Sequence, residues 1–259
     1  MPGGGNEEQT VRRVVSGELQ DLLEKAGVNG TILVLDDGAG MLYGNGFDQA
    51  DEGSLPASTF KIPNTIIGLE TGVAADINRI FHWDGSARSL AVWEKDMDLR
   101  EAFHLSCVPC YQELAREIGA DRMNQYLEKL QYGQMDVRPD NIDTFWLQGS
   151  SAINPLQQLD FLKRFYYAAL PVSGRTINRM KQLMVIEETS AYRLSGKTGW
   201  AIREGENTGW FTGYLETGDK VYFFCTRIRP EAAFHMDMFN KIRREITMEA
   251  FLVLDIISP

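Results

Sequence analysis

A serine and a lysine three residues apart, Ser58 and Lys61, are the side chains whose types and spacing suggest chemistry most directly. They follow Pro56-Ala57 and precede an apolar run that is typical of a helix. If Ser58 opens that helix, Lys61 lies one turn later on the same face, where the two side chains can meet. A serine hydroxyl needs a neighbouring base or a stabilising field to attack a carbonyl, and a helix N-terminus adds a partial positive charge. The pair therefore predicts a nucleophilic serine, although the same spacing also arises by chance from a capping serine and an exposed lysine.

The composition excludes several broad classes of function. With 259 residues, the chain can bury a large core as one domain or as two interleaved subdomains. Its net charge of -10 argues against a nucleic-acid partner, because phosphate binding needs a basic face. No apolar stretch has the length of a membrane span, and Met1–Asn6 lacks the basic start and apolar core of a secretory signal.

The three cysteines, Cys107, Cys110 and Cys225, form no recognised metal-binding spacing. Cys107-x-x-Cys110 resembles a redox or zinc half-site, but no second pair or nearby ligand histidine accompanies it. We therefore interpret all three as buried structural thiols and expect no metal site.

Hydrophobic periodicity predicts strands towards both ends of the chain and helices between them. Near the N-terminus it indicates a helix over residues 16–25 and strands over 31–35 and 41–43. In the middle, Asp121 and Asn154 are each predicted to cap a helix. The pattern after Ala191 indicates three strands and a final helix, over residues 192–197, 209–216, 221–228 and 237–254.

This order of elements predicts an α+β fold. We expect a mainly antiparallel sheet flanked by helices, built from residues 12–55 and 188–259. A helical region over roughly residues 56–187 would be inserted into it, with a cleft at the junction.

A set of short motifs follows Ser58-Thr59-Phe60-Lys61 along the chain: Ser106-Cys107-Val108, Tyr132-Gly133-Gln134, Phe145-Trp146-Leu147-Gln148-Gly149 and Lys197-Thr198-Gly199. In this order and spacing, the set resembles that of the class D serine β-lactamases, the oxacillinase family. The resemblance covers nearly the whole chain and implies the fold shared by serine β-lactamases and penicillin-binding transpeptidases. The family usually has Asn where Gln134 stands; since Gln keeps the same donors and acceptors, we expect altered loop packing and not lost chemistry.

The resemblance also implies the chemistry of acylation. A strained β-lactam amide would acylate Ser58, and the backbone N–H groups of Ser58 and Trp200 would form the oxyanion hole. Ser106 would lie near Ser58 and Lys61 and relay a proton to the leaving β-lactam nitrogen. The alternative for Ser106 is an ordinary cap or turn serine.

For Lys61, the resemblance implies conversion to N6-carboxylysine by carbon dioxide or bicarbonate, with no other cofactor. Apolar neighbours would lower the pKa of Lys61 so that its amine is neutral and reacts, and the motif positions supply Phe60, Val108, Trp146 and Leu147. The carbamate would act as general base in both acylation and deacylation, held by the indole N–H of Trp146. The alternative for Trp146 is a core aromatic whose N–H finds a carbonyl.

Binding of the substrate carboxylate needs a cation. The resemblance implies Lys197, the hydroxyl of Thr198 and the guanidinium of Arg243 for this role, with the strand at Gly199 pairing with the substrate amide. Val108 completes the implied substrate-binding set. Alternatively, Arg243 belongs to the solvated face of an amphipathic helix.

Other outcomes of the same acylation chemistry remain open. Penicillin-binding transpeptidases and β-lactam sensor domains usually have Asn where Val108 stands, and Val108, which cannot hydrogen-bond to the lysine, favours the hydrolase. A non-catalytic protein of the same fold would be expected to lose at least one of Ser58, Lys61 and Lys197, and this chain has all three. A serine esterase with a Ser-Lys pair remains an alternative, because a motif specifies the nucleophile better than the acyl substrate. By resemblance we expect a periplasmic enzyme, a monomer or homodimer, acting on small-molecule β-lactams.

Overall fold

The computed structural model describes residues 11–258. The strands in this range are β1 (Arg12–Val15), β2 (Val28–Asp36), β3 (Met41–Gly44), β4 (Ile80–Phe81), β5 (Met97–Asp98), β6 (Val185–Glu188), β7 (Arg193–Arg203), β8 (Glu206–Thr217) and β9 (Lys220–Pro230). The α-helices are α1 (Gly17–Ala26), α2 (Lys61–Glu70), α3 (Leu99–His104), α4 (Val108–Ile118), α5 (Ala120–Leu130), α6 (Pro155–Tyr166), α7 (Gly174–Met184) and α8 (Phe239–Val253).

Seven of these strands form one sheet in the order β1-β3-β2-β9-β8-β7-β6. Neighbouring strands are antiparallel except β1 and β3, which run parallel. The predicted hairpin between the last two strands is present, with Thr217 paired to Lys220 and Gly218 at a φ of 60° in the turn. The sheet and its flanking helices confirm the predicted α+β class.

The two faces of the sheet pack into two separate hydrophobic cores. Along β9, Phe224 faces the layer formed by α1 and α8, whereas Phe223 and Cys225 belong to the core shared with the helices between β3 and β6. This alternation is the period of two expected when both faces of a strand are buried. The helices that carry the motifs therefore lie on one face of the sheet.

Two predicted helix caps have different outcomes. Asn154 forms a capping box with Gln157, and Pro155 is the first residue of α6, as predicted. The prediction for Asp121 is wrong, because the residue that precedes α5 is Gly119. With a φ of 80°, Gly119 turns the chain immediately after α4, so α5 begins early and Asp121 falls in its first turn.

The interpretation of the cysteines as thiols is correct only for Cys225, which is buried and unpaired. Cys107 and Cys110 form a disulfide, contrary to the expectation. Cys107 is the cap residue of α4 and Cys110 lies in its first turn, so their Cα atoms are 5.5 Å apart, within the usual range for a disulfide.

Two kinds of feature are absent from residues 11–258. None of the helices in this range is long and apolar enough to cross a membrane. Nor do His, Cys, Asp and Glu side chains gather there in groups of three or more that could hold a metal ion.

Candidate active site

Ser58 lies in a single turn of 3₁₀-helix, Ala57–Phe60, that leads directly into α2. The expected helical setting is present, but the α-helix itself begins at Lys61. Ala57 has a φ of 49°, a left-handed conformation that a non-glycine residue adopts only when its surroundings fix it. Part of that fixing comes from the Ala57 N–H, which donates to the carbonyl of Trp146 at 2.9 Å.

Lys61 is buried, and its Nζ donates to the Ser58 Oγ at 3.2 Å. Burial lowers the pKa of Lys61 to about 7, because the ammonium form loses its hydration. The Nζ also lies 4.8 Å from the centre of the Tyr111 ring, whose hydroxyl is bonded to Thr65 at 2.7 Å. A substantial fraction of the amine is therefore neutral near pH 7, beside the serine that it would activate.

The side chain of Trp146 is fully buried, and its ring stacks on Phe60 with centroids 5.5 Å apart. The indole Nε1 of Trp146 has no hydrogen-bond partner among the described residues. An unpaired buried donor is rare in a folded protein and costs free energy, so a hydrogen-bond acceptor at this position would be stabilising. Val108 and Leu147 are half-buried against the same core.

Ser106 and Lys197 meet directly: the Lys197 Nζ donates to the Ser106 Oγ at 2.5 Å. Ser106 lies between α3 and α4 with a φ of 53°, and Lys197 is buried on β7. Burial, followed by the positive charges of Lys61 and Arg243, holds the pKa of Lys197 well below its ordinary value. The structure thus places Ser106 on Lys197, a partner that the sequence analysis did not assign to it.

Gly199 brings β7 against the turn that carries Ser58. A Cβ at this position would lie 3.1 Å from the carbonyl oxygen of Pro56 and 3.3 Å from the backbone nitrogen of Thr59. A side chain here would be in tighter contact than most side chains are, so glycine favours this close approach between two backbones. Trp200, whose backbone N–H is predicted to belong to the oxyanion hole, follows Gly199 directly on β7.

The strand that carries these residues is not the edge of the sheet, because β6 lies outside it. However, β6 pairs only with Arg193–Ser195, so among the described residues the outer side of β7 has no strand partner from Gly196 onwards. Lys197, the half-buried Thr198 and Gly199 lie on this open part, where a substrate amide could pair with the strand.

Arg243 projects from α8 and is buried, so the solvated-face alternative is wrong for it. Its guanidinium donates to the carbonyl of Gly199 at 2.7 Å and to the side-chain oxygen of Asn240 at 3.0 Å. Burial lowers the pKa of Arg243 to about 10. Arg243 therefore contacts the strand that carries the Lys197-Thr198-Gly199 motif, in addition to its predicted role in binding the substrate carboxylate.

Gln134, where the family motif usually has Asn, lies in a loop whose backbone is firmly paired. Its N–H and carbonyl both bond to Ala152, at 2.8 Å each, while its side chain is exposed. The position of this loop is therefore supported by backbone bonds that Asn and Gln make equally well.

Two residues close to the site were missed from the sequence. Tyr111 contacts the Lys61 amine, yet in the sequence it is one more apolar position of α4. Arg227, buried on β9, donates to the carbonyls of Gln49 and Glu52 and so anchors the loop that leads to Ser58. The sequence points to Arg227 only through its position as a charged residue inside an apolar strand.

Comparison with known proteins decides the family. Residues 45–249 match the family described as Penicillin binding protein transpeptidase domain. Beta-lactamase OXA-48 of Klebsiella pneumoniae is 35% identical over 224 residues, 86% of this chain and 84% of that protein. Beta-lactamase OXA-10 of Pseudomonas aeruginosa is 38% identical over 217 residues, 83% of this chain and 78% of that protein. The chain belongs to the class D β-lactamases.

Solved structures of class D β-lactamases agree in fold. The enzyme from Sebaldella termitidis superimposes with a TM-score of 0.90 at 33% identity, covering 95% of this chain and 99% of the other. The class D enzyme YbXI from Nostoc gives a TM-score of 0.85 at 38% identity, covering 92% of this chain and 100% of the other. This chain is thus a class D β-lactamase in fold as well as in sequence, which confirms the family predicted from its motifs.

Proposed function

We propose that this class D β-lactamase hydrolyses β-lactam antibiotics through an acyl-enzyme on Ser58, with N-carboxylated Lys61 as the general base in both steps. The observation that carries the proposal is the Lys61 amine, buried with a pKa lowered to about 7 and 3.2 Å from the Ser58 hydroxyl. A serine with a base at this distance has the geometry of an activated nucleophile.

Acylation uses the residues that the fold brings together at Ser58. The Ser58 oxygen loses its proton to the base on Lys61 and attacks the β-lactam carbonyl carbon, and the ring C–N bond then breaks. The backbone N–H groups of Ser58 and Trp200 stabilise the oxyanion. Ser106, bonded to Lys197, passes a proton to the leaving nitrogen.

Carboxylation of Lys61 is supported by two features of its surroundings. Its neutral amine adds to carbon dioxide and releases one proton, and burial supplies that neutral form by lowering the pKa. The unpaired indole N–H of Trp146 offers a hydrogen bond to the carbamate oxygen, which would remove the cost of an unsatisfied buried donor. In deacylation, the carboxylated Lys61 takes a proton from water, which attacks the ester and frees Ser58.

Location and assembly rest on resemblance to the family. The enzyme would act in a bacterial periplasm on small-molecule β-lactams, as a monomer or a homodimer. Carbon dioxide or bicarbonate would be the only small molecule that it needs besides substrate and water.

The rate should depend on pH through Lys61. Because the pKa of Lys61 is about 7, the amine becomes an ammonium as the pH falls below that value, and an ammonium cannot add to carbon dioxide. Loss of the carbamate takes up one proton, and protonation of the freed amine takes up a second. With dissolved carbon dioxide held constant, kcat/KM should therefore fall on the acid side, approaching about a hundredfold per pH unit. Stopped-flow measurement of kcat/KM as a function of pH tests this prediction. An acid limb that starts several units below 7 would contradict the assignment of Lys61.

Replacing Arg243 with alanine should raise KM for substrates that carry a carboxylate. A charge-assisted contact is worth about 1.5–3 kcal/mol, or roughly ten- to a hundredfold in KM. Arg244→Ala is the matched control, since the neighbouring Arg244 pairs with Glu187 at 2.5 Å. A substrate with an esterified carboxylate separates the two roles of Arg243. If KM rises equally for both substrates in the Arg243→Ala variant, Arg243 acts only by holding the strand through its bond to Gly199.

The covalent step can be tested by mass spectrometry after acid quenching. Mixing the enzyme with a penicillin for milliseconds and digesting it should show the penicilloyl mass on the peptide that contains Ser58 and on no other. Labelling of a different peptide would overturn the proposal.

A further inference from the structure

The disulfide between Cys107 and Cys110 lies at the start of α4, next to the candidate active site. Both residues are buried, and the Cys110 N–H donates to the Cys107 Sγ at 3.2 Å. The bridge thus closes the first turn of the helix both covalently and by a hydrogen bond. Nothing in the proposed chemistry uses these two sulfur atoms.

Each cysteine of the bridge has a chain neighbour that contacts one of the two active-site amines. Ser106, which precedes Cys107, accepts a hydrogen bond from the Lys197 Nζ at 2.5 Å. Tyr111, which follows Cys110, places its ring 4.8 Å from the Lys61 Nζ. A covalent link between Cys107 and Cys110 therefore fixes the spacing between the contacts to Lys197 and to Lys61.

The conformation of Ser106 shows why such a link would matter. Its φ of 53° is left-handed, which costs a non-glycine residue about 1–3 kcal/mol and persists only when the surroundings enforce it. Two backbone hydrogen bonds hold Ser106 in this conformation. The Ser106 N–H donates to the carbonyl of Phe103 at 3.2 Å, and the Cys107 N–H donates to the carbonyl of Ala102 at 2.9 Å. The disulfide adds a covalent constraint on the residue immediately after Ser106.

We propose that the Cys107–Cys110 disulfide is a positioning element of this active site, which holds Ser106 against Lys197 and Tyr111 against Lys61. Reducing it to two thiols lets Ser106 relax from its left-handed conformation and lets the first turn of α4 shift. Ser106 is then no longer aligned to pass a proton, and Tyr111 no longer holds its position against Lys61, so the chemical steps slow. This inference rests on the proposed function.

The buried disulfide borders a cavity through which a small reductant could reach it. A cavity of about 300 Å³ is lined by Cys107, Pro109 and Cys110, together with Trp93 and Arg116. A water-soluble phosphine entering it would cleave the S–S bond to two thiols. The phosphorus is oxidised to the phosphine oxide with an oxygen atom from water, which balances the two electrons and two protons that the sulfur atoms take up.

The experiment compares the oxidised enzyme with the phosphine-reduced enzyme. Thiol titration after denaturation should count one free thiol, Cys225, in the first and three in the second. We expect kcat to fall about tenfold on reduction with little change in KM, and the bicarbonate concentration needed for half-maximal rate to rise. Reoxidation should restore both values. A bridge that served stability alone would lower Tm and leave kcat and the bicarbonate requirement unchanged, which would overturn the inference.

Two variants serve as controls. Cys110→Ala should behave like the reduced enzyme and ignore the phosphine, whereas Cys225→Ala keeps the bridge and should respond as the wild type does. If Cys110→Ala does not fold, the reduced wild type still decides the question. Absence of turnover in both redox states would contradict the proposed function. Equal turnover in both states would contradict only the role of the disulfide.

Discussion

Replacing Ser58 with alanine is expected to abolish covalent labelling by penicillins and to lower turnover by at least about 10⁴-fold. The variant keeps the turn, because Ser58 contributes only its hydroxyl to the Lys61 contact and no other side-chain bond in the described structure. Lys61 then has no hydroxyl beside it to deprotonate, although the backbone of the turn and of β7 remains. Intact-mass spectrometry and a chromogenic assay measure the two losses separately.

The matched control is Ser150→Ala, an exposed serine whose hydroxyl bonds only to Asp136. It should label and turn over at the wild-type rate. A Ser58→Ala enzyme that still forms an adduct at full stoichiometry would show that another residue is the nucleophile.

Replacing Trp146 with phenylalanine should make the enzyme dependent on added bicarbonate. This change keeps an aromatic ring against Phe60 and removes the indole N–H, which has no partner among the described residues. If that N–H holds the carbamate of Lys61, its loss should lower activity about a hundredfold at ambient carbon dioxide, within the range for a missing general base. High bicarbonate should restore most of it. Carbon-13 NMR with labelled bicarbonate follows the carbamate directly.

Trp83→Phe is the control, since the Trp83 indole donates to the carbonyl of Ser86 in an exposed loop. It should retain both the carbamate signal and the activity. An unchanged carbamate signal in Trp146→Phe would mean that another group holds the carbamate.

The contact between Ser58 and Lys61 could be predicted because its geometry is local. Ser58 and Lys61 are three residues apart, so any helical turn brings them together, and the order of the later motifs indicated the fold around them. A strand that ends at Lys197 was also predicted, over residues 192–197, and the structure extends it to Arg193–Arg203.

Contacts between distant segments could not be predicted. The bond from Lys197 to Ser106 joins residues 91 positions apart, and that from Arg243 to the Gly199 carbonyl joins residues 44 apart. Their geometry depends on how the helices pack on the sheet, which residue types alone do not specify. The disulfide is a different case: Cys107 and Cys110 are one helical turn apart, but the sequence does not show that the first turn of α4 would bring their sulfur atoms together.

The central claim is that the Ser58 acyl-enzyme is hydrolysed and not merely formed. The measurement that tests it most directly is a progress curve of chromogenic cephalosporin hydrolysis, with substrate in large excess and bicarbonate present. Our account predicts sustained turnover over many enzyme equivalents, because carboxylated Lys61 activates the deacylating water. A burst equal to the enzyme concentration and no further reaction would contradict it. That result would place the chain with the transpeptidases and sensors that stay acylated.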